Sequence, residues 1–441
     1  MRQARMQPIP VSLLSVSLLI AWSVLGVCTV AGRAEAGPGA AEKAYVDAYI
    51  EGLVELGVLT QEQADQLRAK AEAAAQAATA AAPAPKPGWY DKTKVGGYLQ
   101  FRFNDHPDEN GSLGSADNDF QVRRARIKVT SSPTDRLKAT LQADLPVGDG
   151  VVDVKDAFGD YYLSDSHESW FRFGQAKVPF GFEILQSSSL RLPFERTDGR
   201  KAMVPGERDA GGWLYYTPQE LHERFDALKK SHLGTGDYGL FSLGLYGGQG
   251  FNKSDANDDK HLVFRTDYPF ELGCGRLGQV GFSVLTGEFV SGKAKAKVGP
   301  IEATVPAANI SEHALNFHFY LPPDPWGVQF EYLDGETAGL FKPDPLDPNT
   351  WFIGQTDVDS WYGQFHYSPC EDGTLFLRYD EMNGFKKGGY KSLPSLNDLE
   401  RWTFGYAHQI DSKTELTVEY DDVKKNGKDD DFFGVQWQYK Y

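Results

Sequence analysis

Three cysteines in 441 residues leave cysteine little to do. Cys28 lies in an N-terminal segment that is set aside below, so Cys274 and Cys370 remain. Two thiols build neither a disulfide framework nor a four-cysteine zinc site. They fall in the turns Leu272-Gly273-Cys274-Gly275 and Ser368-Pro369-Cys370-Glu371, which join strands that are not neighbours, so no bridge is expected. Positive charge is also short. There are 45 Lys and Arg against 61 Asp and Glu, a net charge of -16. This disfavours nucleic acid as a partner, because phosphates must be met by Lys and Arg. Beyond residue 36 there is no run of eighteen apolar residues, so no spanning helix.

Catalytic signatures are missing too. No P-loop, HExxH or nucleophile elbow occurs. Gly234-Thr235-Gly236-Asp237-Tyr238-Gly239 has the spacing of a dinucleotide motif, but it precedes a strand and opens no helix. Asp255-Ala256-Asn257-Asp258-Asp259 starts like a calcium loop and lacks the turn glycine and closing glutamate. His318, His366 and His408 stand singly on strands. Neither an enzyme nor a cofactor is indicated.

What is present begins with targeting. Arg2 and Arg5 precede the uncharged apolar stretch Val11 to Val30, and Ala34-Glu35-Ala36 is a small-x-small cleavage site. Residues 1–36 therefore read as a signal peptide. Leu25-Gly26-Val27-Cys28 resembles a lipoprotein box, but bulky Val27 argues against it. Cleavage removes three arginines and one glutamate, so -16 becomes -18. Residues 37–82 read as a helical hairpin, with Val46, Ile50, Leu53 and Val54 at helical spacing. Gly57 stops the first helix, and Thr60-Gln61-Glu62-Gln63 forms a capping box for the second. So small a hairpin buries little core alone, so it is expected to pair with copies of itself, to dock on the cell envelope, or to act as a spacer. The Pro-rich linker 83–91 ends this region.

From residue 92 to 441 the period becomes two. Leu99, Phe101 and Phe103 alternate with Gln100 and Arg102. Trp326, Val328, Phe330 and Tyr332 alternate with Gly327, Gln329 and Glu331. Phe433, Val435, Trp437, Tyr439 and Tyr441 close the chain in the same rhythm. A soluble sandwich also alternates. Three features favour a membrane barrel instead. The strands run to about ten residues, the length a tilted strand needs to cross a bilayer. Their apolar faces are aromatic at the ends, as interfacial girdles require. Tight turns such as 131–135, 164–168, 272–275, 321–325, 368–373 and 410–413 alternate with long polar connections at 105–117, 289–311, 336–356, 383–398 and 422–430. The expected fold is all-β: a sixteen-stranded antiparallel transmembrane barrel preceded by a short helical hairpin. Strand starts are expected near Val95, Phe120, Leu137, Val152, Trp170, Gly212, Tyr238, Leu262, Gly278, Ala314, Trp326, Trp361, Thr374, Arg401, Thr414 and Phe432. Sixteen strands leave a water-filled lumen. The connection 218–235 breaks the rule, being long where a short turn belongs and partly helical in pattern through Leu221, Phe225 and Leu228.

The longest aperiodic stretch lies between Trp170 and Trp213. It keeps Phe180, Phe182, Ile184, Leu185, Leu190, Leu192 and Phe194 to pack with, and carries Arg191, Arg196, Arg200, Lys201 and Arg208. Such a loop is expected to fold into the lumen and line its narrowest point. The other reading is a surface loop whose cations pair with Glu183, Glu195, Asp198 and Glu207. On the second strand Ala125, Ile127 and Val129 take the lipid face, which sends Arg124, Arg126 and Lys128 inward beside Arg102 and Lys138. Later strands send in Glu331, Arg378, Asp380, Glu415 and Glu419. Arginine forks suit phosphate and carboxylate, so small anionic solutes are the expected cargo.

Several stretches together resemble the phosphate-selective porin O/P family of outer-membrane channels. They are Phe120-Gln121-Val122-Arg123-Arg124-Ala125-Arg126, Lys155-Asp156-Ala157-Phe158, Phe173-Gly174-Gln175-Ala176-Lys177-Val178-Pro179-Phe180-Gly181-Phe182-Glu183, Glu195-Arg196, Arg208-Asp209-Ala210-Gly211 and Gly247-Gly248-Gln249-Gly250. They cover the first half of the expected barrel in order. The resemblance implies a homotrimer in bacterial outer-membrane lipid, with the third long loop folded inward and anions passing over Arg191, Arg196, Arg200, Lys201 and Arg208. The inward acids keep a general or cation-leaning porin open as the alternative. So does the hairpin for a structural or adhesive envelope barrel.

Overall fold

The computed structural model describes residues 59–81, 88–106, 118–145, 150–230, 233–384 and 398–441, with Asp47, Ile50, Glu51, Val54 and Glu55. The chain divides into two units, residues 1–86 and 87–441.

In the first unit the described residues between 47 and 55 are helical, and α1 spans Gln61–Ala81. Its N-terminus is capped reciprocally: the Gln63 amide donates to the Thr60 hydroxyl at 3.3 Å, and the Thr60 amide donates to the Gln63 side chain at 2.9 Å. Arg68 on α1 reaches Asp47 and Glu51, each at 3.5 Å. Residues 83–87 of the expected linker and most of the first helix lie outside the described residues, and the end of the linker enters a 3-10 turn, Trp89–Lys92.

The second unit is a closed antiparallel barrel of sixteen strands. In chain order they are β1 (Thr93–Asp105), β2 (Asn118–Thr134), β3 (Leu137–Asp144), β4 (Asp153–Tyr162), β5 (Ser169–Lys177), β6 (Arg208–Tyr216), β7 (Phe241–Tyr246) and β8 (His261–Glu271). The second half comprises β9 (Leu277–Ser291), β10 (Ala308–Leu321), β11 (Trp326–Phe341), β12 (Phe352–Cys370), β13 (Gly373–Asn383), β14 (Leu399–Gln409), β15 (Thr414–Lys425) and β16 (Phe432–Lys440). Each strand pairs with its sequence neighbours, and β1 pairs with β16 from Tyr98↔Lys440 to Asp105↔Phe433. The last residue completes this seam. Tyr441 and Gly97 exchange backbone hydrogen bonds of 3.1 Å, and the Tyr441 hydroxyl donates to the Arg126 carbonyl at 2.9 Å. Closure removes the open edges that any sheet otherwise presents.

The burial pattern is the reverse of a soluble protein's. On β7 Phe241, Leu243 and Leu245 are exposed, whereas Ser242 and Tyr246 are buried. Phe101, Phe171, Phe173, Leu214, Phe264, Phe365 and Phe404 are exposed likewise, and Arg102, Arg124, Gln142, Arg172, Glu331, Arg378 and Glu419 are buried. A continuous apolar outer face around a polar interior suits hydrocarbon as the surrounding solvent.

Three expected loops contain regular structure. In 289–311, β9 runs on to Ser291 and a hairpin follows, Ala294–Val298 paired with Ile301–Val305. In 336–356, β11 continues to Phe341 and β12 begins at Phe352, nine residues before the expected Trp361. The cause is an apolar patch shared by these extensions: Ala294, Ala296, Val305, Ile310, Ala338, Leu340 and Ile353 are all buried together. The stretch 422–430 is likewise ordered, with β15 reaching Lys425 and Lys428–Asp429 folding back on it. Cys274 and Cys370 are free and exposed.

Candidate functional site

The chemistry of a barrel lies on its inward face, where successive strands present every second side chain. On β1 and β2 these are Gln100, Arg102, Arg124, Arg126 and Lys128, as alternation requires. One more cation joins them by a register fault. Gln100 pairs with Arg124, but Phe101 pairs with Val122, so Arg123 is the extra residue of a bulge. Its guanidinium donates to Glu195 at 2.8 Å. Strict period two turns Arg123 outward; only the doubled Arg-Arg hinted at anything else.

The first six strands hold a ladder of charge. Glu195 accepts from Arg102 at 3.1 Å, Arg123 at 2.8 Å and Arg124 at 2.9 Å. Arg126 forks onto Asp144, both contacts at 2.7 Å. Arg208 meets Asp156 at 2.8 Å, and Arg172 meets Asp160 at 2.6 Å while covering the Phe158 ring. The sequence names Glu195 as a partner for the loop cations, but not Asp144, Asp156 and Asp160, because their pairing depends on strand register.

Segment 178–207 is buried along most of its length and hydrogen-bonds to inward residues from distant strands. Glu331 accepts the amides of Phe182 and Glu183 at 2.9 and 3.0 Å. The Ser283 hydroxyl accepts the Gly181 amide at 2.9 Å, and Glu419 accepts the Phe194 amide at 2.8 Å. Arg378 donates to the Glu195 carbonyl at 3.1 Å. Beyond these anchors the chain makes one short α-helix, α2 (Gly199–Met203), and a 3-10 turn at Pro205–Glu207. Phe180, Phe182, Ile184 and Leu185 are almost fully enclosed, as their apolar side chains in an otherwise polar stretch led one to expect.

The cations of this segment mostly face acids. Arg196 meets Glu207 at 2.6 Å and also donates to the carbonyls of Glu183 and Gln186. Arg200 lies 3.5 Å from Glu183 and 3.7 Å from Glu207, and Lys201 pairs with Asp198. Arg191 differs: it is buried, and none of its three guanidinium nitrogens has a hydrogen-bond partner. At Glu195 the burial that favours the neutral acid is outweighed by Arg124, Arg123, Arg191 and Arg102, which hold its carboxyl well below the usual carboxylate range. Of the candidate residues, then, Arg124, Arg126, Arg196, Arg200, Lys201 and Arg208 make ion pairs with acids, whereas among the described residues Arg191 and Lys128 make none at contact distance.

Lys128 faces a cavity of about 950 Å³ lined also by Lys94, Arg126, Lys138, Leu190 and Lys229. It adjoins a second, of about 260 Å³, where Arg172, Arg208 and Tyr238 join the same lysines. Among the described residues, Lys128, Lys138 and Lys229 have no ion pair or hydrogen bond. Lys229 comes from a helix, α3 (Gln219–Lys230), that fills the connection whose length the strand pattern left unexplained. No group of three His, Cys, Asp or Glu among the described residues could hold a metal ion.

A closed sixteen-stranded barrel with an apolar outside, a charged lining and long connections on one rim is the architecture of a pore-forming outer-membrane protein. The model of one family, phosphate-selective porin O and P, matches residues 93–439. The chain therefore belongs to that family, and it is an outer-membrane porin. No curated protein matches it. Among solved structures it is similar to OmpT of Vibrio cholerae, at 12% identity and a TM-score of 0.53, covering 79% of this chain and 97% of that one. The trimer form of in-vitro folded OmpT gives 12% identity and a TM-score of 0.52, covering 79% and 99%. Salmonella typhi OmpF, solved with daunomycin, gives 12% and 0.50, covering 79% and 97%. At such identities the likeness is one of fold.

Proposed function

We propose that the protein is a passive channel for small hydrophilic solutes that leans toward anions such as phosphate, through a lumen narrowed by segment 178–207. The observation that carries this is the pair Lys128 and Lys138, two wall lysines on one cavity that make no contact ion pair among the described residues. An acid-paired arginine largely cancels its field at a distance, whereas an unpaired lysine does not. Arg191 adds a buried guanidinium without a hydrogen-bond partner inside the segment. The family's description as phosphate-selective supports the same reading. A homotrimer fits the similarity to a porin solved as a trimer. Cleavage of residues 1–36, and an envelope contact through residues 37–82, complete the proposal.

A second reading, a general porin without anion preference, is favoured by the pairing of Arg124, Arg126, Arg196, Arg200 and Arg208 with acids. One experiment separates the two. Single-channel currents are recorded in a KCl gradient with phosphate added stepwise. An anion-selective reversal potential, with chloride current reduced by phosphate, supports the first reading. A neutral or cation-leaning pore that ignores phosphate supports the second.

A further inference from the structure

The β6–β7 connection should be a tight turn, because it lies on the rim where the others are tight. Instead α3 occupies it, and the helix is built into the barrel. Phe225 and Leu228 on its inner side are each 1% exposed. Leu228 and Leu233 share one buried cluster with Phe182 and Leu192 of segment 178–207 and with Tyr320 of β10 and Phe376 of β13. The Gln186 side chain donates to the Leu233 carbonyl at 2.6 Å. So α3 packs on inward-facing side chains and meets segment 178–207 from the tight-turn end.

Its position is tied at both ends. Asp237 accepts from the Thr217 hydroxyl and the Gly239 amide, each at 2.8 Å, and contacts His222 at 2.5 Å. Glu168 accepts the Gln219 amide at 3.1 Å. The stem of Lys229 is guided as well. A Cβ at Gly236, which has φ +89°, would come within 3.3 Å of the Lys229 stem, so the glycine leaves room for it. Lys229 lines both cavities together with Lys128 and Lys138. The acids nearby are Asp160, paired with Arg172; Asp156, paired with Arg208; Asp237, held in the tie; Asp226 on α3 itself; and Asp135, which lines the larger cavity from the turn after β2.

We propose that α3 is a second filter in series with segment 178–207: it covers part of the tight-turn mouth and brings Lys229 to Lys128 and Lys138, completing a three-lysine site for small oxyanions. This rests on the reading of the protein as an anion-leaning channel. A charge at one mouth acts only over the Debye length, about 30 Å at 0.01 M salt and 3 Å at 1 M. Lys229 should therefore enrich anions at that mouth in dilute salt, and the current should rectify.

The test uses the full-length protein in planar bilayers with Lys229→Gln and Lys229→Glu. The lysine is exposed, so neither change removes packing. In dilute KCl the wild type should rectify; Gln should at least halve the asymmetry and the anion-to-cation permeability ratio, and Glu should lower both further. In 1 M KCl all three should conduct alike. Replacing residues 218–236 with a short turn should raise the 1 M conductance. An anion-selective wild type whose rectification and selectivity both survive Lys229→Glu overturns the role of α3 and leaves the channel reading standing. A wild type without anion preference overturns the anion-leaning reading, and unchanged rectification in the variants then overturns the filter separately.

Discussion

Glu331 on β11 accepts the backbone amide of Phe182, 149 residues earlier in the chain, at 2.9 Å. The same carboxylate takes the Glu183 amide at 3.0 Å, the Tyr362 hydroxyl at 3.0 Å and the Asn316 side chain at 2.9 Å. It is the most heavily used anchor of segment 178–207. Glu331→Ala leaves these donors without their acceptor, at about 1–3 kcal/mol for each one left unsatisfied. The folded barrel should unfold at lower temperature, as followed by heat-dependent electrophoretic mobility, and its open-channel current should become noisier. An unchanged transition with quiet current argues against the anchor.

The outer face should reject charge. Leu243 is 48% exposed and sits mid-strand on β7. Leu243→Arg should cost about 2–4 kcal/mol near the bilayer midplane. Its inward neighbour Ser242 is buried with an unpartnered hydroxyl, so Ser242→Ala should change stability little. Reversible unfolding in liposomes measures both, and comparable losses would contradict the assignment of faces.

The seam between first and last strands depends on a glycine. A Cβ at Gly97 would lie 2.0 Å from the Arg126 carbonyl and 2.5 Å from the Tyr441 hydroxyl. Gly97→Val should sharply reduce the yield of closed barrel on refolding. Gly273→Ala, in an open turn with no atom near its Cβ, is the matched control and should refold normally.

The tie of α3 should respond to pH. The hydrogen bond to Asp237 raises the His222 pKa above its ordinary 6.5, against the smaller effect of burial. The folded state thus holds the proton more tightly than the unfolded. That contribution is complete below pH 6.5 and fades as pH rises through the elevated value. Protease cleavage within 218–236 should accelerate over that rise, after correction for the protease's own pH profile. His222→Asn should flatten the response.

Much of the fold was legible in the sequence. Alternation is a local property of a strand, so a chain with Phe241, Leu243 and Leu245 on one face and Ser242 on the other declares its inside and outside without reference to other strands. Connection lengths sort the rims by the same local logic. Expected starts at Leu137, Trp326, Thr414 and Phe432 coincide with the observed ones. The extension of β12 to Phe352 was missed because its partner patch, from Ala294 to Ile353, is assembled from separate segments. The site was legible only as a set of inward cations. Which of them are paired with acids was decided by register and by packing across the barrel: Asp144 reaches Arg126 from the next strand, a bulge turns Arg123 to Glu195, and α3 delivers Lys229 beside Lys128. Charge pairing depends on distances of a few ångströms between residues far apart in the chain. A period of two residues carries no information about them; only the closed barrel brings those residues together.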